Sequence, residues 1–124
     1  MPNVKQLDDQ LNAMILGGKA LGGKAMEGFE QFYADDVVMQ ENDQAPTVGK
    51  AANRDREIAF FSSLEAFHGG ALKAGAAGDD VSLGEWEFDV TFKGASRSMM
   101  RQASVRRWKD GKIVHEKFYY DGAH

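Results

Sequence analysis

The side chains that could do chemistry in this 124-residue chain are concentrated in its last quarter, residues 99–121. Two runs rich in β-branched and aromatic residues flank Lys109-Asp110-Gly111, a pattern that is typical of a β-hairpin. These runs contain an amide, a hydroxyl, a guanidinium and a carboxylate at alternate positions, together with aromatic residues. A mixture of aromatic and polar groups on one face is the usual lining of a ligand pocket. The sequence therefore predicts a small-molecule pocket on one face of this hairpin.

The turn of this hairpin decides which side chains share a face, because a shift of one residue exchanges the two faces of a strand. We predict a three-residue turn, Lys109-Asp110-Gly111, which places Ser104 opposite Glu116 and Arg106 diagonal to that carboxylate. The pocket-facing polar and aromatic residues are then Gln102, Ser104, Arg106, Glu116, Phe118 and Tyr120. The alternative is a two-residue turn, Asp110-Gly111, which would put Ser104 and Arg106 on one face and Glu116 on the other.

Glu41 is the candidate for proton transfer. It ends a short strand, residues 37–41, whose alternation places Val37, Met39 and Glu41 on one side. Apolar surroundings would raise its pKa toward the range of a general acid or base, whereas at an exposed strand end it would be an ordinary surface carboxylate. Glu116 could orient a ligand, or it could form a structural ion pair with Arg106.

Composition excludes several classes of function. The net charge is −4 without a basic block, which argues against nucleic acid as a partner. Cysteine is absent and the three histidines lack metal-ligand spacing, so we expect neither a metal site nor a cofactor. No apolar run is long enough for a membrane helix, and the amphipathic N-terminus is unlike a signal peptide. We expect a single cytoplasmic domain over residues 1–124.

The elements that must position these groups follow from hydrophobic spacing. Apolar residues three and four apart predict helices at residues 3–16, 24–33 and 50–67, with Asp8, Asn12, Arg56 and Glu57 facing solvent. Residues 71–77 are weakly strand-like. A change of alternation near Gly84 predicts a β-bulge in the strand that follows. The expected fold is α+β, with three helices from the N-terminal half packed on the concave face of a curved antiparallel sheet.

This order of elements resembles the nuclear transport factor 2-like superfamily, and within it the SnoaL-like proteins. The resemblance covers nearly the whole chain. It is carried by the Tyr33-Ala34-Asp35-Asp36-Val37 turn, by Gly49 before the third helix, and by the final hairpin. It implies a cone-shaped sheet with a cavity at its wide end, and frequent homodimers through the outer sheet face, which here would contain Arg101, Val105, Arg107, Ile113 and Lys117.

The ketosteroid isomerases of this superfamily allow a comparison by position. Glu41 holds the place of their general base, Ser104 the place of their protonated Asp, and only Ala13, Met14 or Ile15 could stand where they have a Tyr. Two of three catalytic parts are missing, so steroid isomerisation is not expected. The resemblance also places Ser104, Arg106 and Glu116 toward the cavity.

The predicted function is a small-molecule pocket with acid/base capacity for isomerisation, cyclisation or dehydration. Glu41 would move the proton, while Gln102, Ser104, Arg106 and Glu116 orient the substrate. The wall would be formed by aromatic residues, namely Trp86, Phe88, Phe118 and Tyr120. Two alternatives remain, a binder without catalysis and a dimeric assembly module, and in both the Arg106–Glu116 pair is structural.

Overall fold

The computed structural model describes residues 2–17 and 23–121. Within these ranges the chain forms three helices and six strands. The helices are α1 (Val4–Gly17), α2 (Gly23–Phe32) and α3 (Lys50–Ser62). The strands are β1 (Tyr33–Glu41), β2 (Thr47–Val48), β3 (Leu64–Ala77), β4 (Val81–Phe92), β5 (Arg97–Lys109) and β6 (Lys112–Tyr119). This content confirms the predicted α+β class.

The six described strands form one open sheet in the order β2-β1-β6-β5-β4-β3. The neighbours pair antiparallel except for β1 and β6, which run parallel, so the sheet is mixed. This parallel pair joins the first and last strands of the chain. It brings Glu41 beside Phe118 and Met39 beside Glu116. The pairing therefore places the strand that ends at Glu41 next to the β5–β6 hairpin, which contains most of the predicted pocket residues.

The third helix is shorter than predicted. It ends at Ser62, and Leu64 already pairs with Phe92 as the first residue of β3. The predicted helix to residue 67 was wrong because Phe61 and Leu64 keep a three-residue spacing across the junction. Strand pairing with β4 satisfies the backbone groups from Leu64 onward, and this tertiary gain overrides the helical pattern.

The irregularities that bend the sheet lie in β3 rather than at Gly84. The β3–β4 register shifts between Leu64 and Ala66, between Phe67 and Gly69, and between Leu72 and Ala74. The β4–β5 register is uniform along its whole length. The predicted bulge at Gly84 was wrong, because Ser82 faces inward there and Leu83 is 46% exposed. An extra residue bends its strand, so these shifts curve β3.

The final turn has two residues, not three. Lys109 pairs with Lys112, and Asp110 and Gly111 both have positive φ angles, 53° and 79°. Positive φ at both central positions is the geometry that Asp-Gly favours in a tight hairpin. Beside this turn Trp108 pairs with Ile113, and both side chains are buried. Ile113 thus belongs to the core and not to the outer sheet face on which we predicted it.

A register shift one residue farther along reverses the effect of the shorter turn. Arg107 pairs with His115 whereas Trp108 pairs with Ile113, so Val114 is an extra residue in β6. The short turn changes the parity once and the extra residue changes it back. Arg106 therefore lies directly opposite Glu116 on the inner face, instead of diagonal to it.

Candidate functional site

The helices and the inner face of the sheet enclose a cavity of about 420 Å³. This size lies within the usual range of small-molecule sites. Of the nine residues predicted for the site, eight line it, and these are Glu41, Trp86, Phe88, Gln102, Ser104, Arg106, Glu116 and Phe118. Tyr120 is not part of the lining; its hydroxyl donates to Glu41 Oε1 at 3.2 Å.

A buried guanidinium organises the inner end of the cavity. The Arg106 side chain is only 5% exposed. Its Nε donates to Glu116 Oε2 at 2.7 Å, and its Nη1 donates to Asp8 Oδ1 at 2.8 Å and to Asn12 Oδ1 at 2.6 Å. Burial alone would lower the pKa of Arg106, but the charges of Glu116 and Asp8 outweigh burial and raise it. The guanidinium is therefore a permanent cation.

Tyr33 completes the contacts of Glu116. Its hydroxyl donates to Glu116 Oε1, the oxygen that Arg106 leaves free. Burial, and then the negative charge of Glu116, raise the pKa of Tyr33 well above 10. Tyr33 consequently stays protonated and can donate its hydroxyl hydrogen to Glu116. With both oxygens engaged, Glu116 is held in one position by its neighbours.

Helix α1 supplies two members of this network that we had placed in solvent. Asp8 and Asn12 are both 7% exposed, and the Asn12 amide donates to Asp8 Oδ2 at 3.2 Å. That prediction was wrong because it treated polar residues as outward. The signal was their spacing: Asp8 and Asn12 lie four residues apart and interleave with Leu11 and Ile15 on the same helical face.

A hydrogen-bonded chain connects this network to the indole of Trp108. Trp108 Nε1 donates to Ser82 Oγ at 2.9 Å, and Ser82 Oγ donates to Asp8 Oδ1 at 2.8 Å. Ser82 is completely buried. Each polar atom in this chain therefore has a partner, which is the condition under which buried polar groups are tolerated. The chain ties α1 to β4 and β5.

Glu41 lies in an ion pair rather than in the apolar surroundings that we had considered. Arg56 Nη1 donates to Glu41 Oε2 at 2.9 Å, and the Glu41 side chain is 31% exposed. Tyr120 occupies the other carboxylate oxygen. Arg56 was predicted to face solvent, yet it lines the cavity and its Nε and Nη2 are buried without a hydrogen-bond partner among the described residues.

Glu57 is the cavity carboxyl that sequence reasoning missed. Its side chain is 23% exposed, and its Oε1 lies 3.7 Å from Arg56 Nη2. It makes no hydrogen bond through its side chain within residues 2–17 and 23–121. Burial is the main cause that raises its pKa from 4.5 to about 7, with Arg56 opposing and Glu116 and Glu41 reinforcing the shift. Its position three and four residues before Phe60 and Phe61 was the available signal.

The remaining lining separates into a polar row and an apolar wall. Gln102 and Ser104 share the inner face of β5 with Arg106, since alternate residues of a strand point the same way. Trp86 stacks on Phe88 with ring centroids 5.5 Å apart, and Arg106 Cζ lies 5.9 Å from the Trp86 ring. The wall beyond them is built from Phe60, Phe61, Phe67, Phe92 and Phe118.

The described part of the chain contains neither a metal-binding group of side chains nor a membrane-spanning helix. Its His, Asp and Glu residues form no group of three that could hold a metal ion. None of its helices has the length and apolar character needed to cross a membrane. The polar groups that line the cavity are carboxyl, guanidinium, amide and hydroxyl side chains and the exposed Lys24 amine.

Comparison with solved structures identifies the fold. A Mesorhizobium loti protein named as a candidate SnoaL-like polyketide cyclase superposes with a TM-score of 0.82 at 24% identity, over 96% of this chain and 100% of its own. An NTF2-like protein from Anabaena variabilis gives 0.79 at 16% identity, over 98% and 91%. An M. tuberculosis LEH-like epoxide hydrolase gives 0.69 at 17% identity, over 95% and 81%. At these identities the likeness shows the fold alone, which is NTF2-like.

The family follows from the sequence itself. Residues 12–120 match the family described as the SnoaL-like domain, which is most of the chain. This protein therefore belongs to the SnoaL-like domain family, as its resemblance had predicted. No curated protein matches it.

Proposed function

We propose that the cavity binds a small organic molecule and catalyses a proton transfer on it, in an isomerisation, cyclisation or dehydration. One observation supports this proposal. The Glu57 carboxyl, which accepts no hydrogen bond from a described residue, lies in an aromatic-walled cavity 3.7 Å from the guanidinium of Arg56. A carboxyl with a pKa of about 7 can accept and return a proton at neutral pH. The aromatic wall lowers the local polarity, which strengthens electrostatic interactions with the reacting group.

The two cavity carboxylates outside the Arg106 network take different roles in this proposal. Glu57 transfers the proton, because neither of its oxygens is used by a hydrogen bond to a described residue. Glu41, the base predicted from the sequence, holds Arg56 in place through its 2.9 Å contact. Glu41 remains the second candidate for proton transfer. Gln102 and Ser104 orient the polar group of the substrate from β5.

The alternative is a binding protein without catalysis. The contacts of Arg106 favour it for the inner end of the cavity, since Glu116, Asp8 and Asn12 already occupy its Nε and Nη1. That network is then structural, and the cavity only holds a metabolite. Homodimerisation through the outer sheet face also stays a prediction; on that face Arg101 pairs with Glu87 of its own chain at 3.1 Å.

Deuterium exchange into a bound ketone distinguishes catalysis of proton transfer from binding without catalysis. Cyclohexanone is incubated with the protein in D2O, and NMR follows both its binding and the exchange of its α-hydrogens. We expect the wild type to accelerate exchange, Glu57→Gln to abolish the acceleration without loss of binding, and Glu85→Gln, at an exposed position, to leave it unchanged. Binding without acceleration would support the binding reading. Acceleration that survives in Glu57→Gln but not in Glu41→Gln would transfer the role to Glu41.

A further inference from the structure

Two buried hydrogen-bond donors at the cavity have no partner in the described part of the chain. Arg56 lines the cavity, and its Nε and Nη2 atoms are buried without an acceptor among residues 2–17 and 23–121. A buried donor that is left unpaired has lost its hydrogen bonds to water and gained nothing in return, so such atoms are rare in folded proteins. These two donors therefore point to an acceptor that a ligand supplies.

The two donors lie on one edge of the guanidinium. The remaining nitrogen, Nη1, donates to Glu41 Oε2 at 2.9 Å, and this contact holds the guanidinium from its other side. The Nε–H and the neighbouring Nη2–H of an arginine form a planar fork, and this fork matches the two oxygens of a carboxylate. The free edge of Arg56 therefore has the geometry for a two-oxygen acceptor.

Glu57 adds a third donor beside this edge. Its Oε1 lies 3.7 Å from Arg56 Nη2, which is too far for a hydrogen bond. Burial raises the pKa of Glu57 to about 7, so about half of this carboxyl is protonated at neutral pH and can donate. A ketone oxygen has only about two lone pairs for these donors, whereas a carboxylate has about four. The number of donors therefore favours a carboxylate over a carbonyl group.

We infer that the ligand of this cavity is an organic monocarboxylate with an apolar body. Its oxygens accept hydrogen bonds from Arg56 Nε and Nη2 and from the protonated Glu57 carboxyl, and its hydrocarbon part packs against the aromatic wall. Glu57 moves aside from Arg56 on binding, and it has no hydrogen bond to a described residue that would oppose this movement. This inference rests on the proposed function and adds the ligand class to it. Glu57 then enters the proposed reaction as the acid.

The surroundings of Glu57 allow an anion to bind there. Glu57 is faced by Arg56 on its own helix, by Glu41 and Tyr33 of β1, and by Glu116 of β6. Glu41 and Glu116 are each paired with a guanidinium, and the Tyr33 hydroxyl stays neutral because its pKa is raised well above 10. When the carboxylate binds, an ionised Glu57 takes up a proton from solvent. The charge of the ligand then replaces that of Glu57, and the total charge stays the same.

The inference predicts that binding is linked to proton uptake. With a pKa of about 7, Glu57 is mostly protonated at pH 6 and mostly ionised at pH 8. An aliphatic carboxylate remains ionised over this whole range. Its affinity should therefore fall about tenfold from pH 6 to pH 8, in proportion to the protonated fraction of Glu57. A ligand that needs the ionised form of Glu57 would show the opposite trend.

Two ligands with the same apolar body provide the test. 1-Adamantanecarboxylate and the neutral 1-adamantanemethanol are titrated by calorimetry at pH 6, 7 and 8. We expect the carboxylate to bind more tightly than the alcohol at pH 6, and to lose about tenfold in affinity by pH 8. At pH 7, titrations in buffers of different ionisation heat should show the uptake of about half a proton per carboxylate.

Four variants assign the effect to residues. Glu57→Gln keeps a donor but cannot ionise, so it should remove the pH dependence and retain the carboxylate affinity of the wild type at pH 6. Arg56→Lys keeps the charge but loses the fork, so it should lower the affinity for the carboxylate about tenfold or more and leave that for the alcohol nearly unchanged. The exposed controls Glu85→Gln and Arg101→Lys should behave as the wild type does.

Each outcome supports or overturns the inference. If the carboxylate binds no more tightly than the alcohol at pH 6, or if its affinity for the wild type does not fall with rising pH, the carboxylate inference is wrong while binding in the cavity stands. If neither ligand binds, the proposed binding function fails as well. An unchanged carboxylate affinity in Arg56→Lys would overturn the role of Arg56. Should a variant not fold, the pH profile and proton uptake of the wild type decide on their own.

Discussion

Removal of the buried guanidinium should be among the most damaging single changes in this protein. Arg106→Met deletes the hydrogen bonds to Glu116, Asp8 and Asn12, and it leaves Glu116, only 1% exposed, without its cation. Breaking a buried pair by removing one partner costs about 3–5 kcal/mol of unfolding free energy. We expect a loss of this size, which shifts a urea midpoint by about 2 M.

The matched control is Arg101→Met on the same strand. Arg101 also pairs with a glutamate, Glu87, but its side chain is 68% exposed. Exposed pairs contribute about 0–1 kcal/mol, so this variant should unfold close to the wild type. The contrast compares a buried network with an exposed pair, while the substitution and the strand are the same.

Equilibrium urea unfolding measures the unfolding free energy of both variants. Two further variants test whether loss of the buried charge pair is the cause. Arg106→Lys retains the charge but not the forked donor, and it should lie between wild type and Arg106→Met. Arg106→Met combined with Glu116→Leu removes both charges of the pair and should be more stable than Arg106→Met alone. A loss for Arg106→Met within about 1 kcal/mol of that for Arg101→Met, or a double variant no more stable than the single one, would refute this account.

The remaining predictions concern three other positions, Glu57, Asn53 and Gly28. Because the pKa of Glu57 rises from 4.5 to about 7 on folding, its contribution to stability is complete below pH 4.5 and is lost as the pH rises to 7. Across this range the unfolding free energy of Glu57→Gln relative to the wild type should rise with pH by up to about 3 kcal/mol, as measured by urea unfolding. A difference that does not change with pH would contradict the pKa shift. Asn53 is fully buried and donates to the carbonyls of Val37, Thr47 and Gly49. Asn53→Ala should therefore lower the unfolding free energy by about 1–3 kcal/mol, measured by thermal or urea unfolding. An unchanged stability would show that these hydrogen bonds are unimportant. A Cβ on Gly28 would lie 2.7 Å from Leu11 Cδ1. Gly28→Ala should therefore destabilise the protein by about 1–2 kcal/mol, although alanine has the better helix propensity. A Tm at or above that of the wild type would show that the α1–α2 contact can adjust to the added methyl group.

The fold could be predicted largely from local pattern. The first helix was predicted to begin near residue 3, and α1 begins at Val4, where the Gln6 N–H donates to Asn3 Oδ1 at 2.9 Å as in an N-cap. The family resemblance was confirmed by the match over residues 12–120. The end of α3 could not be found in this way, because Leu64 fits both the helical spacing and the strand that it enters.

The pairing of the hairpin shows how two local errors can cancel. The predicted three-residue turn was wrong, and the extra residue Val114 had no sequence signal. Arg106 and Glu116 nevertheless share the inner face, because each change reverses the parity of the strand once. The agreement of the faces was therefore not a result of the turn prediction.

What the sequence determined by itself is the set of chemical groups and the faces on which most of them lie. Alternation along β4 and β5 predicted Trp86, Gln102, Ser104 and Arg106 as inward residues, since a strand places alternate side chains on one face whatever it pairs with.

Only the tertiary structure decided which of these groups meet. Asp8 is 98 residues from Arg106 along the chain, and Tyr33 is 83 residues from Glu116, so no local pattern could pair them. The pKa of Glu57 also depends on the tertiary structure. Its raised pKa comes from burial against distant strands and from the charges of Glu41 and Glu116, and these exist only once the sheet and α3 have closed around the cavity.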